Sequence, residues 1–304
     1  MTTRRLRLLL CLLLPLAFLL AACGDDDEGL DSGGGDGGGE TTDPEVADTE
    51  FDDGTTMAEL SEAGAIKIGV KYDQPGLGAV SLDSEEPEGF DIEIGKLVAA
   101  QLGIEPDGIE FIETVSANRE TFIENGTVDI VVATYTINDE RKEVIDFAGP
   151  YYVAGQDLLV GADDDSINGP DDLAGKRVCA ASGSTPIERI REDYPDAEPV
   201  EFDTYTECVD QLLAGQIDAV STDDIILAGY AADPQYEGEF RLVGETFSDE
   251  PYGIGLEKGD DEFRSFLNDT LEESYEDGTW ESSFDATLGA SGVEAPEPPE
   301  VDRY

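Results

Sequence analysis

The residues best suited to chemistry in this chain follow a short apolar run. Ile130 to Ala133 is rich in β-branched residues and bounded by polar ones, which is typical of a buried parallel strand. Three residues with hydroxyl groups come next, Thr134, Tyr135 and Thr136, and Arg141 follows five residues later. Ligands of open α/β sheets bind beyond the carboxyl ends of the strands, so these side chains are expected to line a crevice. A guanidinium there suits a carboxylate, and hydroxyls complete its shell of partners. The alternative is that Arg141 pairs with a surface acid such as Glu140 or Asp146.

Two later segments offer complementary groups. Ser184 or Thr185 caps a predicted helix that has Pro186 in its first turn, and free N–H groups at such a start attract anions. This pattern is common in α/β proteins and is weak evidence alone. A predicted strand from Ile217 to Ser221 ends at Asp223 and Asp224. Either carboxylate could face a cation, or be one more solvated acid.

The elements around these segments indicate an α/β protein. Predicted strands at 66–70, 109–112 and 130–133 alternate with helices that begin near Met57 and at Gly89, which favours a parallel, doubly wound lobe. From Gly155 a second α/β unit is predicted, with strands at 156–161, 177–180, 201–203, 217–221 and 240–243. Phe263 to Tyr275 has a helical pattern, and Trp280 follows it.

The first 22 residues are predicted to be a secretory signal. Arg4, Arg5 and Arg7 precede an apolar run from Leu8 to Leu20. Leu20-Ala21-Ala22-Cys23 resembles a lipobox, so Cys23 is the expected site of lipidation; an ordinary signal or an uncleaved anchor is the alternative. Residues 23–54 are acidic and Gly-rich and are predicted to form a disordered tether. The Pro/Glu-rich residues 289–304 are predicted to be a disordered tail.

The chain is strongly acidic, with a formal net charge of -55 from 72 acidic and 17 basic residues in 304. Long-range repulsion excludes nucleic acid and anionic lipid surfaces as partners. Because basic residues are scarce, those at crevice positions require an explanation. No histidine is present, which argues against a metal site and leaves few groups for acid–base catalysis.

Four cysteines occur in the sequence. Cys11 lies in the predicted signal and Cys23 in the lipobox, which leaves Cys179 and Cys208. Two thiols in an exported chain most simply form one structural disulfide. It would close a loop of about 29 residues and stabilise the fold by roughly 3 kcal/mol.

Five segments together resemble the amino-acid-binding branch of the extracellular solute-binding proteins (family 3), in particular the glutamate/aspartate-binding lipoproteins of ABC importers. They are 70–76 (VKYDQPG), 116–119 (SANR), 134–141 (TYTINDER), 182–185 (SGST) and 218–224 (DAVSTDD). The resemblance extends over nearly all of 57–288. It implies a two-lobe, type II periplasmic-binding-protein-like fold, in which two doubly wound sheets are joined by a two-strand hinge. Residues 55–153 and 250–288 would form lobe I and residues 154–249 lobe II, and Phe247 to Leu256 resembles the returning hinge strand.

The resemblance also implies a role for each candidate ligand residue. Arg141 would hold the α-carboxylate, aided by Thr136 and by the helix start at Ser184 and Thr185. Asp223, with help from Thr134, would bind the α-ammonium. Ser116, Arg119 and Lys71 would address a distal carboxylate. Alternatively, Arg119 caps a loop and Lys71 is a surface residue. Tyr72 is a candidate aromatic wall of the site, and Tyr135 completes the candidate set.

The implied function is extracellular capture of an acidic amino acid, glutamate or aspartate, and its delivery to an ABC permease. The protein would be a monomer without cofactors, and its only membrane contact would be the lipid on its N-terminus. A binder of glutamine or another polar amino acid is one alternative. An amino-acid sensor or a dehydratase-like enzyme on the same fold is another.

Overall fold

The computed structural model describes residues 43–81, 84, 86–291 and 293–304. The predicted signal with Cys11, the predicted lipidation site at Cys23 and most of the predicted tether lie outside the described residues. Within the described part, no helix combines the length and apolar character needed to cross a bilayer.

The chain first builds most of one sheet and then moves to another. The elements of this first part are α1 (Thr56–Ala63), β1 (Ile66–Val70), β2 (Asp73–Gln74), β3 (Gly78–Val80), β4 (Pro87–Glu88), α2 (Phe90–Gln101), β5 (Ile109–Glu113), α3 (Arg119–Glu124), β6 (Ile130–Val131), α4 (Asp139–Lys142) and β7 (Asp146–Ala154). Next come β8 (Gln156–Gly161), β9 (Arg177–Ala181), α5 (Thr185–Asp193), β10 (Glu198–Phe202), α6 (Tyr205–Leu213), β11 (Ala219–Asp223), α7 (Asp224–Ala232) and β12 (Phe240–Leu242). The chain returns with β13 (Glu250–Leu256), α8 (Asp261–Asp277) and α9 (Thr279–Thr287). Short 3-10 turns cover Pro106–Gly108, Ser116–Asn118, Pro170–Leu173, Pro234–Tyr236 and Leu288–Ser291.

Two five-stranded sheets define two lobes. The sheet of lobe I has the order β5-β1-β6-β13-β7, and that of lobe II has the order β10-β9-β11-β8-β12. The prediction of parallel sheets is wrong in part. The first three strands of each order are parallel, but β13 pairs antiparallel with β6 and β7, and β8 pairs antiparallel with β11 and β12. The antiparallel strands are those next to the crossings between lobes, where the chain reverses direction.

The parallel core of lobe I places the site. Ile66, Ile68 and Val70 of β1 are buried, and β1 is flanked by β5 and β6. Parallel neighbouring strands end at the same edge of the sheet. Lys71, which follows β1, and Thr134, which follows β6, therefore both lie at this edge. A small separate sheet, β2-β3-β4, folds the loop after β1 over this edge.

The disulfide between Cys179 and Cys208 is confirmed. It ties β9 to α6 with a Cα–Cα distance of 5.6 Å. Trp280 packs on lobe I as expected, where its indole N–H donates to the Tyr151 carbonyl at 2.9 Å.

The chain crosses from lobe I to lobe II between Ala154 and Gln156, and returns between Leu242 and Glu250. Away from these crossings the lobes are also in contact. The Asp73 carboxylate accepts the N–H of Tyr205 at 2.8 Å, and its carbonyl accepts the hydroxyl of Tyr230 at 2.5 Å. The described conformation therefore has its lobes closed on each other.

Described parts of both predicted flexible ends contact lobe I. Phe51, placed in the predicted tether, packs edge-on against Phe266 at 5.6 Å between ring centroids. In the predicted tail, the Tyr304 hydroxyl accepts the N–H of Phe147 at 2.9 Å, and the N–H of Asp302 donates to Gly149 at 2.8 Å. Both segments carry apolar side chains among their acids, and these pack on lobe I.

Candidate functional site

A small polar cavity of about 10 Å³ lies between the lobes. Lobe I contributes hydroxyls and a guanidinium, and lobe II contributes hydroxyls, a phenol and a carboxylate. Its lining consists of Ser116, Arg119, Thr134, Thr136, Ser184, Thr185, Pro186, Tyr205, Asp223 and Ile226. Seven of these residues were singled out from the sequence as ligand candidates.

Arg119 forms the cationic floor of the cavity. It is 2% exposed, and its guanidinium donates to the carbonyls of Ser116, Ala133 and Thr134 at 3.1 to 3.3 Å. The ring of Tyr135 lies 4.1 Å from its central carbon. Burial and the neighbouring Arg141 lower the pKa of Arg119 to about 10. Part of the guanidinium therefore braces the loop, as the alternative interpretation held, and the rest faces the cavity.

Lys71 stands behind Ser116. Its ammonium is buried and donates to the Ser116 hydroxyl at 2.8 Å. Burial, followed by the charge of Arg119, lowers the pKa of Lys71 to about 7. A buried cation whose charge is opposed by other cations is stabilised by an anion placed nearby.

Thr134 has a backbone conformation that is uncommon for a β-branched residue, with φ of 44°. Asp91, at the start of α2, accepts the Thr134 N–H at 2.8 Å and the Tyr151 hydroxyl at 2.7 Å. Burial raises the pKa of Asp91 to about 6. These two hydrogen bonds hold the strained loop, and with it the carbonyls that bind Arg119.

Arg141 lies beside the cavity rather than in its lining. One end of the guanidinium donates to the Thr136 carbonyl at 2.7 Å and another to Gly183, on lobe II, at 3.2 Å. Its Nε is 3.4 Å from Glu120. Of its five N–H donors, some remain for a ligand. Arg141 therefore does pair with an acid, as the alternative held, but that acid is Glu120 and not Glu140 or Asp146.

Gly183 allows this close approach of the lobes. Its φ is +73°, and a Cβ there would lie 2.8 Å from the Cα of Ala117 on lobe I. Its carbonyl accepts from Arg141 and, at 3.4 Å, from Arg119. One lobe II carbonyl therefore lies against both arginines.

Asp223 lines the same cavity as Arg119, from the lobe II side. It is 3% exposed, and one carboxylate oxygen accepts the Tyr252 hydroxyl at 2.5 Å. The other oxygen, Oδ1, has no hydrogen-bond partner among the described residues. Burial, followed by the charge of Glu250, raises the pKa of Asp223 to about 7. A buried carboxylate with a free oxygen is suited to a cationic ligand group.

The hydroxyls at the start of α5 complete the lobe II wall. Ser184 caps the helix and accepts the N–H of Ile187 at 3.4 Å. The Thr185 hydroxyl donates to Glu250 at 2.8 Å and lies 3.4 Å from the hydroxyl of Thr136.

Two candidates lie elsewhere. The Tyr72 hydroxyl donates to the Phe111 carbonyl at 3.0 Å, and its ring lines a different pocket, so Tyr72 forms no wall of this cavity. Tyr135 lies beneath the guanidiniums of Arg119 and Arg141, at 4.1 and 5.0 Å from its ring centroid. Its position is that of a support and not of a lining residue.

Sequence reasoning missed several functional neighbours. Glu250 and Tyr252 lie on β13, two residues apart and therefore on one side of the strand. Their polar side chains within an otherwise apolar strand were the available signal. Asp91 and Tyr205 belong to helix starts, where acids and aromatics are too common to stand out. No cluster of three or more potential metal ligands occurs in the described ranges. The arrangement, two arginines opposite a carboxylate, suits a zwitterion that carries additional negative charge.

Comparison with known proteins gives concordant matches. The model of the bacterial extracellular solute-binding proteins, family 3, matches residues 66–289. The chain is 43% identical to the glutamate-binding protein GluB of Corynebacterium glutamicum over 242 residues, covering 76% of this chain and 81% of that protein. It is 37% identical to the ABC transporter glutamine-binding protein GlnH of Bacillus subtilis over 230 residues, covering 75% and 83%. A solved ancestral arginine-binding protein bound to glutamine superposes with a TM-score of 0.69 at 33% identity, covering 74% of this chain and 98% of that one. The predicted two-lobe, periplasmic-binding-protein-like fold is confirmed.

Proposed function

Because the chain belongs to the bacterial extracellular solute-binding proteins of family 3, we propose that it captures an acidic amino acid, glutamate or aspartate, for import by an ABC transporter. It is a binding protein and not an enzyme. In this proposal Cys23 carries the lipid that holds the protein at the outer face of the membrane. The permease receives the loaded, closed form.

A cluster of buried cations in lobe I is the observation that supports an acidic ligand. Lys71, Arg119 and Arg141 are 3%, 2% and 7% exposed, and burial together with the two arginines lowers the pKa of Lys71. Glutamate brings two carboxylates and one ammonium, so its net negative charge relieves this repulsion. Glutamine is neutral overall and would relieve less of it.

The three charged groups of glutamate have separate partners in this arrangement. The α-carboxylate binds Arg141 and the free N–H groups at the start of α5, and the α-ammonium binds Oδ1 of Asp223. The distal carboxylate binds Ser116, with Lys71 and Arg119 behind it. The name of the relative GluB, at 43% identity, agrees with this assignment, whereas GlnH, at 37%, makes glutamine the second candidate.

Ligand binding favours closure of the two lobes, because the ligand's partners are divided between them. Lobe I supplies the arginines and lobe II supplies Asp223 and the helix start, so a ligand makes its full set of contacts only when the lobes are together. The direct contacts of Gly183 with Arg119 and Arg141 would be exchanged in part for contacts with the ligand's carboxylate.

Calorimetric titration of the purified protein in high-salt buffer with glutamate, aspartate, glutamine and arginine tests the proposal. We expect one-site binding of glutamate. Arg141→Ala should weaken it by about 30-fold or more, because it removes a charge-assisted contact in a desolvated site. Arg191→Ala is the matched control, since Arg191 lies on α5 but pairs with Glu201 at the surface. Binding of glutamine alone would contradict the assignment of the distal carboxylate, and binding of no amino acid would contradict the proposal.

The lipid anchor is tested separately. Cys23→Ser should release the protein from the membrane fraction into the medium in the native host. Retention of this variant in the membrane fraction would contradict lipidation at Cys23.

A further inference from the structure

Glu250 is a buried carboxylate that the ligand assignments above leave unused. It is 0% exposed and lies at the first position of β13, where the chain returns to lobe I. One oxygen, Oε1, accepts from Arg189 at 3.0 Å and from the Ser248 hydroxyl at 2.7 Å. The other, Oε2, accepts from the Thr185 hydroxyl at 2.8 Å. In all three contacts Glu250 is the acceptor.

This contact fixes the direction of the Thr185 hydroxyl. A hydroxyl has one proton to donate and two lone pairs to accept with, and Glu250 receives the proton of Thr185. In its contact with the Thr136 hydroxyl, 3.4 Å away, Thr185 can then act only as the acceptor. Toward the cavity Thr185 thus presents an oxygen that can only accept.

Tyr252 has a parallel effect on Asp223. It is two residues from Glu250 on the same side of β13, and its hydroxyl donates to Oδ2 of Asp223 at 2.5 Å. Oδ1 is left free among the described residues. Thr185 and Asp223, two of the polar lobe II groups that β13 contacts, therefore offer acceptors to the same cavity.

We propose that Glu250 is a specificity-determining positioning residue, which makes the Thr185 hydroxyl an acceptor and assigns it to the ligand's α-ammonium. The inference rests on the proposed function and refines it. The helix start at Thr185 was expected from the sequence to aid the α-carboxylate. Its backbone N–H groups keep that role, while its side chain joins Asp223 on the ammonium. The pocket thereby selects α-amino acids over dicarboxylates that lack the amine.

Glu250→Gln reverses the hydroxyl. Arg189 and Ser248 are both donors, so the amide oxygen of the introduced glutamine must face them and its NH2 group must face Thr185. Thr185 would then accept from that amide and direct its own proton into the cavity, against the ammonium. Glutarate is glutamate without the amine, so the ratio of its Kd to that of glutamate measures the preference for the amine. We expect this ratio to fall about tenfold or more in the variant.

Companion variants locate the effect. Thr185→Ser keeps the hydroxyl and should keep the ratio within about threefold of the wild type. In a Thr185→Val background, Glu250→Gln should change the ratio by about twofold at most, because the group through which it acts is gone. Glu201→Gln, which removes the surface partner of Arg191 on the same helix, is the control for loss of a paired carboxylate. An equal effect of Glu250→Gln with and without the Thr185 hydroxyl would overturn the proposal.

Neutron diffraction from crystals of the deuterated wild-type protein provides a readout that needs no ligand. We expect the Thr185 deuteron to point at Oε2 of Glu250 and the Thr136 deuteron to point at Thr185. A Thr185 deuteron directed into the cavity would overturn the proposal even if glutamate binds. Failure of the wild type to bind glutamate would refute the proposed function, and the deuteron would still decide the direction of the hydroxyl.

Discussion

Replacing Asp223 by asparagine should stabilise the unliganded protein at alkaline pH while abolishing binding. Asp223 carries a buried negative charge that, in the proposed function, the ligand's ammonium neutralises. Its carboxylate is 3% exposed, and burial raises its pKa from 3.8 to about 7. The asparagine side chain would keep an oxygen for the Tyr252 hydroxyl and would carry no charge. The variant therefore removes the cost of ionisation and leaves the shape of the site.

The magnitude follows from linkage between protonation and folding. Between about pH 4 and pH 7 the folded wild type holds a proton on Asp223 that the unfolded chain has lost, so its stability falls as pH rises through this window. Above pH 7 the cost is about 4 kcal/mol, from a shift of about three pKa units at 1.36 kcal/mol each. At pH 4.5 the ionisation of Asp223 destabilises the folded wild type by only about 1 kcal/mol. The stability of the variant relative to the wild type should thus grow by about 3 kcal/mol from about pH 4.5 to about pH 8.5.

Chemical denaturation at the two pH values, in buffers of the same high ionic strength, measures this difference. Taking the difference between variant and wild type cancels the titration of all other groups. Asp203→Asn, at an exposed position, is the control for the loss of a carboxylate that is not buried. If the stability difference between Asp223→Asn and the wild type is the same at the two pH values, within about 1 kcal/mol, the reasoning that burial makes this charge destabilising is refuted. Calorimetry of the same variant should show glutamate binding weakened by about 100-fold or more.

Four further predictions concern the cleft and the scaffold. Glutamate affinity should be highest near pH 7, because Asp223 protonates below its pKa of about 7 and Lys71 loses its proton above its pKa of about 7. Glutamine affinity should fall only on the acidic side. Identical pH profiles of the two affinities, measured by calorimetric titration, would contradict a role for Lys71. Cys208→Ala should lower the free energy of unfolding by about 3 kcal/mol, and a change under about 1 kcal/mol by denaturation would mean that the disulfide constrains little. Removal of residues 293–304 should lower the free energy of unfolding by about 2 kcal/mol, since it deletes the hydrogen bonds of Tyr304 and Asp302 to lobe I. Arg303→Ala, at a surface ion pair, should lower it by under about 1 kcal/mol in the same denaturation assay. With a formal charge of -55, the melting temperature should rise as NaCl screens self-repulsion, and calorimetric scans indifferent to molar NaCl would contradict this.

The sequence by itself determined the elements and the types of residue at their ends. The strand at 66–70 was predicted with the bounds that the structure has, because its apolar residues are buried among neighbours on both sides and the pattern is local. The pairing of Cys179 with Cys208 followed from elimination. The cavity residues after the strands, such as Thr134 and Ser184, were found because strand ends in α/β folds are ligand positions whatever the ligand is.

The tertiary structure decided which groups face which. Tyr72 has the type and spacing of a site residue, yet its hydroxyl is used by Phe111 on the neighbouring strand. Arg119 and Arg141 share the Gly183 carbonyl of the other lobe, a contact between residues 64 and 42 positions apart that no local pattern encodes. The free oxygen of Asp223 and the direction of the Thr185 hydroxyl both depend on β13, which reaches the cleft only after lobe II is complete. Sequence patterns report the local preference of each segment, whereas burial, pKa and hydrogen-bond direction arise from neighbours that are distant in the chain.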